Sequence, residues 1–354
     1  MASFEIDLCS FPAGTPPAGT NVNFVDPPSL QWAVIAVAVI FTSLSVIITS
    51  GRLFMNRKSM TLADYLMVIG LVFDIGTMSI IVTLSPWYRH IWDIPACWFT
   101  TRYMKLVYAE VMIVGPALFF PKVSIFLFYL QIFGINRTVR VGANVGIVVA
   151  FLAYFPATLV LSYFDAPHIG QTWEELLTSD MPGKGIPGGI AIGCLSVLVD
   201  LYVFILPISP LLKLKMPLTK RLQLVALFGT ALMGLVASVV CMVFRIKLLG
   251  LSDSTWQGGK VAIPILIENN VAIIVGSMPA FASFLRQYVP ELSFIKSLKS
   301  KLLRDSSKGS SGFDSNQPLP QKFRNTGSSV PSKEGPYYEL SERTWNPRLP
   351  QLRL

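Results

Sequence analysis

The chain has 354 residues, of which 52% are hydrophobic and 14% charged, with a mean hydropathy of +0.56. Soluble domains carry about 25% charged residues, so a soluble core cannot absorb this much apolar sequence, whereas a bilayer can. The net charge of +9 does not indicate nucleic-acid binding. The basic residues fall in short loops and in a tail, where membrane topology explains them.

Seven runs of mostly apolar residues are each long enough to cross a bilayer. They cover residues 30–50, 62–84, 107–132, 141–164, 188–211, 222–244 and 261–284. Backbone groups in lipid must be hydrogen-bonded within their own segment. None of the runs shows the alternation of a barrel strand. The predicted fold is therefore an all-α bundle of seven transmembrane helices.

Lysine and arginine are concentrated in the loops after the first, third and fifth runs. The nine residues are Arg52, Arg57, Lys58, Arg137, Arg140, Lys213, Lys215, Lys220 and Arg221. The positive-inside rule therefore predicts an outer N-terminus and a cytoplasmic C-terminus, with the plasma membrane as the expected location. In this orientation the sequon at Asn136 faces the cytoplasm and stays unglycosylated.

The composition divides the chain into three parts. Residues 1–29 form a short extracellular segment, 30–290 the seven-helix domain, and 291–354 a basic cytoplasmic tail that is predicted to be disordered. The stretch FIKSLKSKLLR at 294–304 has two interpretations. It is either an amphipathic helix on anionic lipid or a consequence of the positive-inside bias.

The four cysteines are Cys9, Cys97, Cys194 and Cys241. They show no metal-ligand spacing and predict no disulfide framework. Cys194 and Cys241 lie in apolar runs and are predicted to be buried in lipid. Neither a metal nor a cofactor is expected. The N-terminus lacks a basic region, so we expect the first membrane helix to act as the insertion signal.

Two charged residues lie at a similar depth in different runs. Lys122 is ten residues before the cytoplasmic end of the third run, and Asp200 is eleven before the end of the fifth. Both depths are about 15 Å. A charge at mid-membrane costs roughly 2.5–3.5 kcal/mol, so we predict an interhelical ion pair between them. The pair either fixes helix packing or acts as a switch.

Three carboxylates, Asp74, Glu110 and Glu268, fall in the outer halves of their runs. With Asn269, they are predicted to line an outer cavity that binds a cation or an amine. Alternatively, desolvation keeps the carboxyl groups protonated, or Glu110 extends to the membrane interface. Arg245, at the outer end of the sixth run, is predicted to pair with Glu268.

The sequence T-L-A-D at 61–64 precedes the second run. Thr61 and Asp64 match a capping box, in which each side chain bonds the backbone of the other. Asp64 is therefore expected to be a structural residue.

Five sequence blocks follow one another at characteristic spacings. They read GRLFMNRKSMTLADYLM, YRHIWDIP, PKVSIFLFYLQIFG, VDLYVFILPISPLLKLKMPLTKR and IENNVAIIVGSMPAF. Together they resemble the fungal rhodopsin-domain family of heptahelical, receptor-like proteins over about residues 30–290. The resemblance implies seven helices with the N-terminus outside. It also implies characteristic polar positions at Lys122, Asp200, Glu268, Asp64, Arg52, Lys213 and Lys215.

The chain departs from this family at several points. The second outer loop keeps Pro167 and Trp173 but lacks the usual cysteine pair, so the disulfide of that loop is absent. The only lysine near the seventh run is Lys260, at its outer edge, so a retinal Schiff base is not expected. The D-R-Y and N-P-x-x-Y motifs are missing, so the sequence does not imply coupling to G proteins.

The leading hypothesis is therefore a multi-pass membrane receptor that senses a small molecule. Its expected partners are membrane lipids, the small-molecule ligand and a cytoplasmic signalling protein. One alternative is a membrane enzyme of secondary metabolism, in which a buried carboxylic acid starts a cyclisation. The other is a transporter, although no inverted repeat is visible. No residue is assigned a catalytic role.

Overall fold

The computed structural model of the chain describes residues 7–177, 184–208, 218–248 and 253–288. Several of the sequence predictions fall outside these residues. They concern the basic residues Lys213 and Lys215, the segment 294–304 and the tail 291–354.

The described residues form eight α-helices. They are α1 (Gln31–Asn56), α2 (Leu62–Leu84), α3 (Thr101–Phe133), α4 (Arg137–Asp165), α5 (Trp173–Leu177), α6 (Ile186–Ile205), α7 (Leu218–Leu248) and α8 (Ser254–Tyr288). Extended structure in these ranges is limited to two isolated β-bridges. The predicted all-α class is confirmed.

Six of the described helices are long and apolar enough to cross a membrane: α1, α2, α3, α4, α6 and α8. The remaining long helix, α7, has 31 residues and contains the sixth apolar run. A seventh crossing and the orientation of the termini stay predictions.

Two helices begin well before the apolar runs that predicted them. α3 begins at Thr101 and α8 at Ser254, six and seven residues early. The extra turns pack against protein. The ring of Tyr103 lies 5.4 Å from that of Trp87, and the Thr255 hydroxyl donates to the Arg89 carbonyl at 2.7 Å. Hydropathy alone does not predict these helical turns, because contacts with protein stabilise them.

Helix α8 is the most enclosed of the membrane-length helices. In its most apolar stretch 83% of residues are buried, compared with 28% in α2, α4 and α6. It packs against α1, α2, α3 and α7. This position explains how α8 carries Glu268, Asn269 and Asn270, since polar side chains in membrane helices face the bundle interior.

Glycines allow two helix pairs to approach closely. A Cβ atom at Gly51 of α1 would lie 2.5 Å from the ring of Phe281 on α8, and one at Gly70 of α2 would lie 2.8 Å from the ring of Pro121 on α3. Small residues at such contacts are typical of packed membrane helices.

The N-terminal segment is bonded to the loop between α2 and α3. Cys9 and Cys97 form a disulfide across 88 residues of sequence, so the prediction of no disulfide framework was wrong. Spacing did not reveal the pair, because the hairpin of α1 and α2 brings two distant cysteines together. Backbone bonds add to the attachment, since Ala13 N donates to Ile94 O and Ala96 N to Phe11 O, each at 2.9 Å.

The other two cysteines are free thiols. Cys194 is exposed on α6, whereas Cys241 is buried within the bundle at 2% exposure. Cys241 therefore packs against protein, and not against lipid as the sequence predicted.

Candidate functional site

A buried polar network surrounds Lys122 on α3. Its ammonium nitrogen lies 2.9 Å from Asp200 Oδ1 and 3.4 Å from Glu268 Oε1. It also donates to the hydroxyls of Tyr154, at 2.7 Å, and Ser196, at 2.9 Å. Lys122 is 1% exposed, so the bundle interior satisfies this charge. The structure thus brings the two predicted partners, Lys122 and Asp200, into contact.

Hydroxyl groups extend the network to five helices. Ser196 of α6 donates to Glu268 of α8, and Ser238 of α7 donates to Asp200 of α6. Tyr154 contributes from α4, with its hydroxyl 2.9 Å from Ser196 Oγ. These partners are neutral residues in apolar runs. The sequence therefore did not identify them as site residues, as it did the charged residues.

Lys122 has more acceptors than protons to donate. An ammonium has three N–H groups, and four oxygen atoms lie within 3.4 Å of its nitrogen. Two of them belong to carboxylates on different helices, α6 and α8. Lys122 therefore bridges α6 and α8 through Asp200 and Glu268.

Arg245 forms no ion pair with Glu268, which corrects the sequence prediction. Its guanidinium donates to the Gly189 carbonyl at 3.0 Å and lies 3.4 Å from the Cys241 sulfur. Glu268 lies deeper, beside Lys122, and the lysine ammonium takes the place expected for Arg245.

Two neighbouring cavities lie beyond this network. The first, of about 190 Å³, is lined by Trp87, Tyr88, Tyr103, Glu110 and Thr255 among apolar side chains. Burial raises the pKa of the Tyr88 phenol well above its usual range, and the Glu110 carboxylate adds to the shift. The phenol therefore stays neutral and can donate a hydrogen bond.

The second cavity, of about 160 Å³, is lined by Glu110, Thr158, Ile192, Arg245 and Ile265, among others. Glu110 and Ile265 line both cavities. Glu110 is half-buried, so its carboxylate is the acidic group that the two cavities share.

Three helices connect the second cavity directly to the network. On each, a cavity-lining residue lies three or four positions from a network residue, on the same helix face. The pairs are Thr158 and Tyr154 on α4, Ile192 and Ser196 on α6, and Ile265 and Glu268 on α8. A molecule in this cavity would touch side chains one helical turn from the Lys122 network.

The four predicted ligand residues do not share one cavity. Glu110 lines both of these cavities, and Glu268 borders a void of about 20 Å³ beside Lys122. Asp74 is fully buried and lies 3.4 Å from the Asn270 amide nitrogen. Asn269 is also fully buried, and its polar atoms find no partner in the described ranges.

The capping residues serve a wider junction than the sequence indicated. The Thr61 N–H and hydroxyl both donate to Asp64 Oδ2 at 2.9 Å. The other carboxylate oxygen accepts from Arg52 Nε at 2.7 Å and Asn56 Nδ2 at 2.9 Å. Arg52 also donates to the Gly276 carbonyl at 2.7 Å. Asp64 therefore caps α2 and also ties α2 to α1 and α8.

On the opposite side, the loop after α2 is fastened to the start of α8. His90 stacks between Trp92 and Trp256, with ring centroids 4.6 and 4.3 Å away. Its Nδ1 lies 2.5 Å from Asp253 Oδ2, and Ile91 N–H donates to Asp253 Oδ1 at 3.1 Å. This loop borders the first cavity through Trp87 and Tyr88.

This arrangement belongs to a known class of membrane protein. The chain matches the fungal rhodopsin domain over residues 47–287, more than half of its length, and it is a member of that family. The family resemblance is confirmed, and the protein is an integral, multi-pass membrane protein.

A curated relative adds to this assignment. The chain is similar to a SAT4 family membrane protein of Emericella nidulans, with 24% identity over 219 residues. The match covers 62% of this chain and 54% of that protein. The chain therefore spans about half the length of the relative.

Proposed function

We propose that this protein is a membrane receptor for a small molecule that binds in the cavities beside Glu110. The observation that carries the proposal is the contact of α4, α6 and α8 with both the second cavity and the Lys122 network. On each of these helices one turn separates the two sets of residues.

The lining predicts the chemistry of the ligand. The second cavity presents the Glu110 carboxylate, the Arg245 guanidinium and the Thr158 hydroxyl among apolar side chains such as Val114, Leu161 and Ile192. Ligand sites of this kind use a few polar groups to orient an apolar molecule. A compact apolar molecule with an amine or other donor group and an acceptor group fits, since the donor would bind the Glu110 carboxylate and the acceptor the Arg245 guanidinium.

The network supplies an element with two arrangements. A ligand that moves α6 relative to α8 changes how Lys122 divides its bonds between Asp200 and Glu268. A ligand shifts such an equilibrium only by its different affinity for the two arrangements. The cavity-lining residues that lie one turn from the network on the same helices provide that difference.

Two further observations support an outer position for the cavities. The Cys9–Cys97 disulfide lies on the same side of α1 and α2 as the first cavity, and disulfides persist in oxidising compartments. The loops on the opposite side carry the excess of lysine and arginine. We therefore propose an outer ligand site in the plasma membrane, with the cytoplasmic loops and tail contacting a signalling partner.

One observation favours a second candidate function, a membrane enzyme. Glu110 is the carboxylate of both outer cavities, whereas Asp200 and Glu268 bind Lys122. An acid-initiated reaction would therefore use Glu110 to protonate an apolar substrate.

Metabolite and transcript profiling of matched strains separates the two functions. The strains carry the wild-type gene, a deletion or Glu110→Gln, each checked for equal protein level. The control is Glu174→Gln, which removes an exposed carboxylate from α5. The receptor proposal expects many transcripts to change together in the deletion and Glu110→Gln strains. Accumulation of one precursor, with other transcripts constant, would reject the receptor and favour the enzyme.

A further inference from the structure

A second buried polar cluster joins α1, α2 and α8, away from the Lys122 network. It consists of Ser45, Asp74 and Asn270, all at 0% exposure. Ser45 Oγ donates to Asn270 Oδ1 at 2.7 Å. The Asn270 amide nitrogen donates to Leu266 O at 2.9 Å, which fixes the amide orientation, and lies 3.4 Å from Asp74 Oδ1.

The Asp74 carboxylate has no cation to balance it among the described residues. Its contact is a neutral amide, and its Oδ2 has no hydrogen-bond partner there. Two buried cations are paired with other carboxylates. Arg52 binds Asp64, and Lys122 binds Asp200 and Glu268. A charge buried in this way is costly.

Neutral oxygen atoms occupy the neighbouring turns. Thr42 lies one turn before Ser45 on α1, and its buried hydroxyl has no partner in the described ranges. Thr77 lies one turn after Asp74 on α2 and donates its proton to Phe73 O at 3.0 Å, which leaves its oxygen free to accept. By helical spacing, the Thr42 hydroxyl shares a face of α1 with Ser45, and the Thr77 hydroxyl shares a face of α2 with Asp74.

We infer that this junction of Ser45, Asp74, Thr42 and Thr77 binds a sodium ion. Hard cations are coordinated by carboxylate, hydroxyl, carbonyl and water oxygens. The single carboxylate matches one positive charge, and a divalent ion would leave an excess charge in the bundle. The inference does not depend on the receptor proposal, because the junction shares no residue with the outer cavities.

Thermal unfolding of the purified full chain in detergent tests the inference. Sodium chloride is titrated against choline chloride at constant total salt. Binding to the folded state alone raises the unfolding temperature in proportion to the logarithm of ligand concentration. We therefore expect a sodium-specific rise of a few degrees. Asp74→Asn should abolish this rise, and Ser45→Ala should shift it to higher sodium concentrations.

Asp165→Asn is the matched control, because it removes a carboxylate at the end of α4 and should keep the full sodium response. Identical unfolding in sodium and choline would overturn the inference. So would an Asp74-dependent response to pH without a response to sodium, because the carboxyl would then hold a proton. If Asp74→Asn does not fold, Ser45→Ala alone decides, and an unchanged sodium response in that variant rejects the site.

Discussion

Arg52 on α1 and Asp64 at the start of α2 form a buried ion pair, with 2.7 Å between Nε and Oδ1. The pair also reaches α8, because Arg52 donates to the Gly276 carbonyl. Four further groups bond to this carboxylate or this guanidinium: the Thr61 N–H and hydroxyl, the Asn56 amide and the Gly276 carbonyl. Removing either charge leaves the other buried without a counterion.

We expect Arg52→Met to be strongly destabilising. Breaking one side of a buried pair typically costs about 3–5 kcal/mol, because the Asp64 carboxylate is left buried and unpaired. Thermal unfolding in detergent measures the effect. Arg57→Met is the control, since Arg57 is exposed and its loss should change stability by less than about 0.5 kcal/mol. Equal unfolding temperatures for the two variants would contradict the role assigned to Arg52.

The Lys122 network should show strong coupling between its members. Lys122→Met leaves two buried carboxylates without their cation and should reduce folded protein severely. Adding Asp200→Asn and Glu268→Gln to Lys122→Met removes those charges and should restore much of the loss. A mutant cycle on the yield and unfolding temperature of purified protein measures the coupling. Additive effects would show that the three side chains act independently.

The outer disulfide should be detectable by labelling intact cells. A membrane-impermeant maleimide should label neither Cys9 nor Cys97 before reduction, and both after mild reduction. Cys9→Ser should expose Cys97 to the reagent without reduction, which supplies the control for access. Labelling only after the membrane is permeabilised would place the N-terminus inside and reverse the predicted orientation.

The contact between His90 and Asp253 should hold the loop between α2 and α3 with modest strength. The two side chains are 25% and 13% exposed, and solvent screens such pairs, so Asp253→Asn should cost roughly 1 kcal/mol or less. The expected signature is local. Hydrogen exchange should increase in residues 89–98, while α3 and α4 keep their protection. An unchanged rate in the loop would mean that the tryptophan stacking alone fastens it.

The sequence predicted the helices because bilayer thickness sets a minimum length for an apolar run. It predicted the ends of helices less well where the helix extends beyond the apolar run and packs against protein. Glu268 illustrates this, because the apolar run placed it in the outer half of the membrane. Helix α8 begins at Ser254, so Glu268 is 14 residues into the helix, about 21 Å from its start. Asp200 is likewise 14 residues into α6, and both carboxylates reach Lys122.

Some residues of the site could not be predicted from the sequence alone. Tyr154, Ser196 and Ser238 are neutral, and their residue types are common in membrane helices. Cys9 and Cys97 are 88 residues apart, and only the return of the chain through α1 and α2 makes them neighbours. The sequence predicts the depth of each charged residue in the membrane. Which polar atoms bond to one another is known only from how the helices pack.

The disulfide also has a consequence for biogenesis. Cys9 precedes α1 and Cys97 follows α2, so the two thiols meet only when both helices have been inserted and the intervening turn has stayed on the other side of the membrane. The bond therefore requires correct insertion of the first hairpin. A nascent chain whose first hairpin inserts wrongly keeps two free thiols.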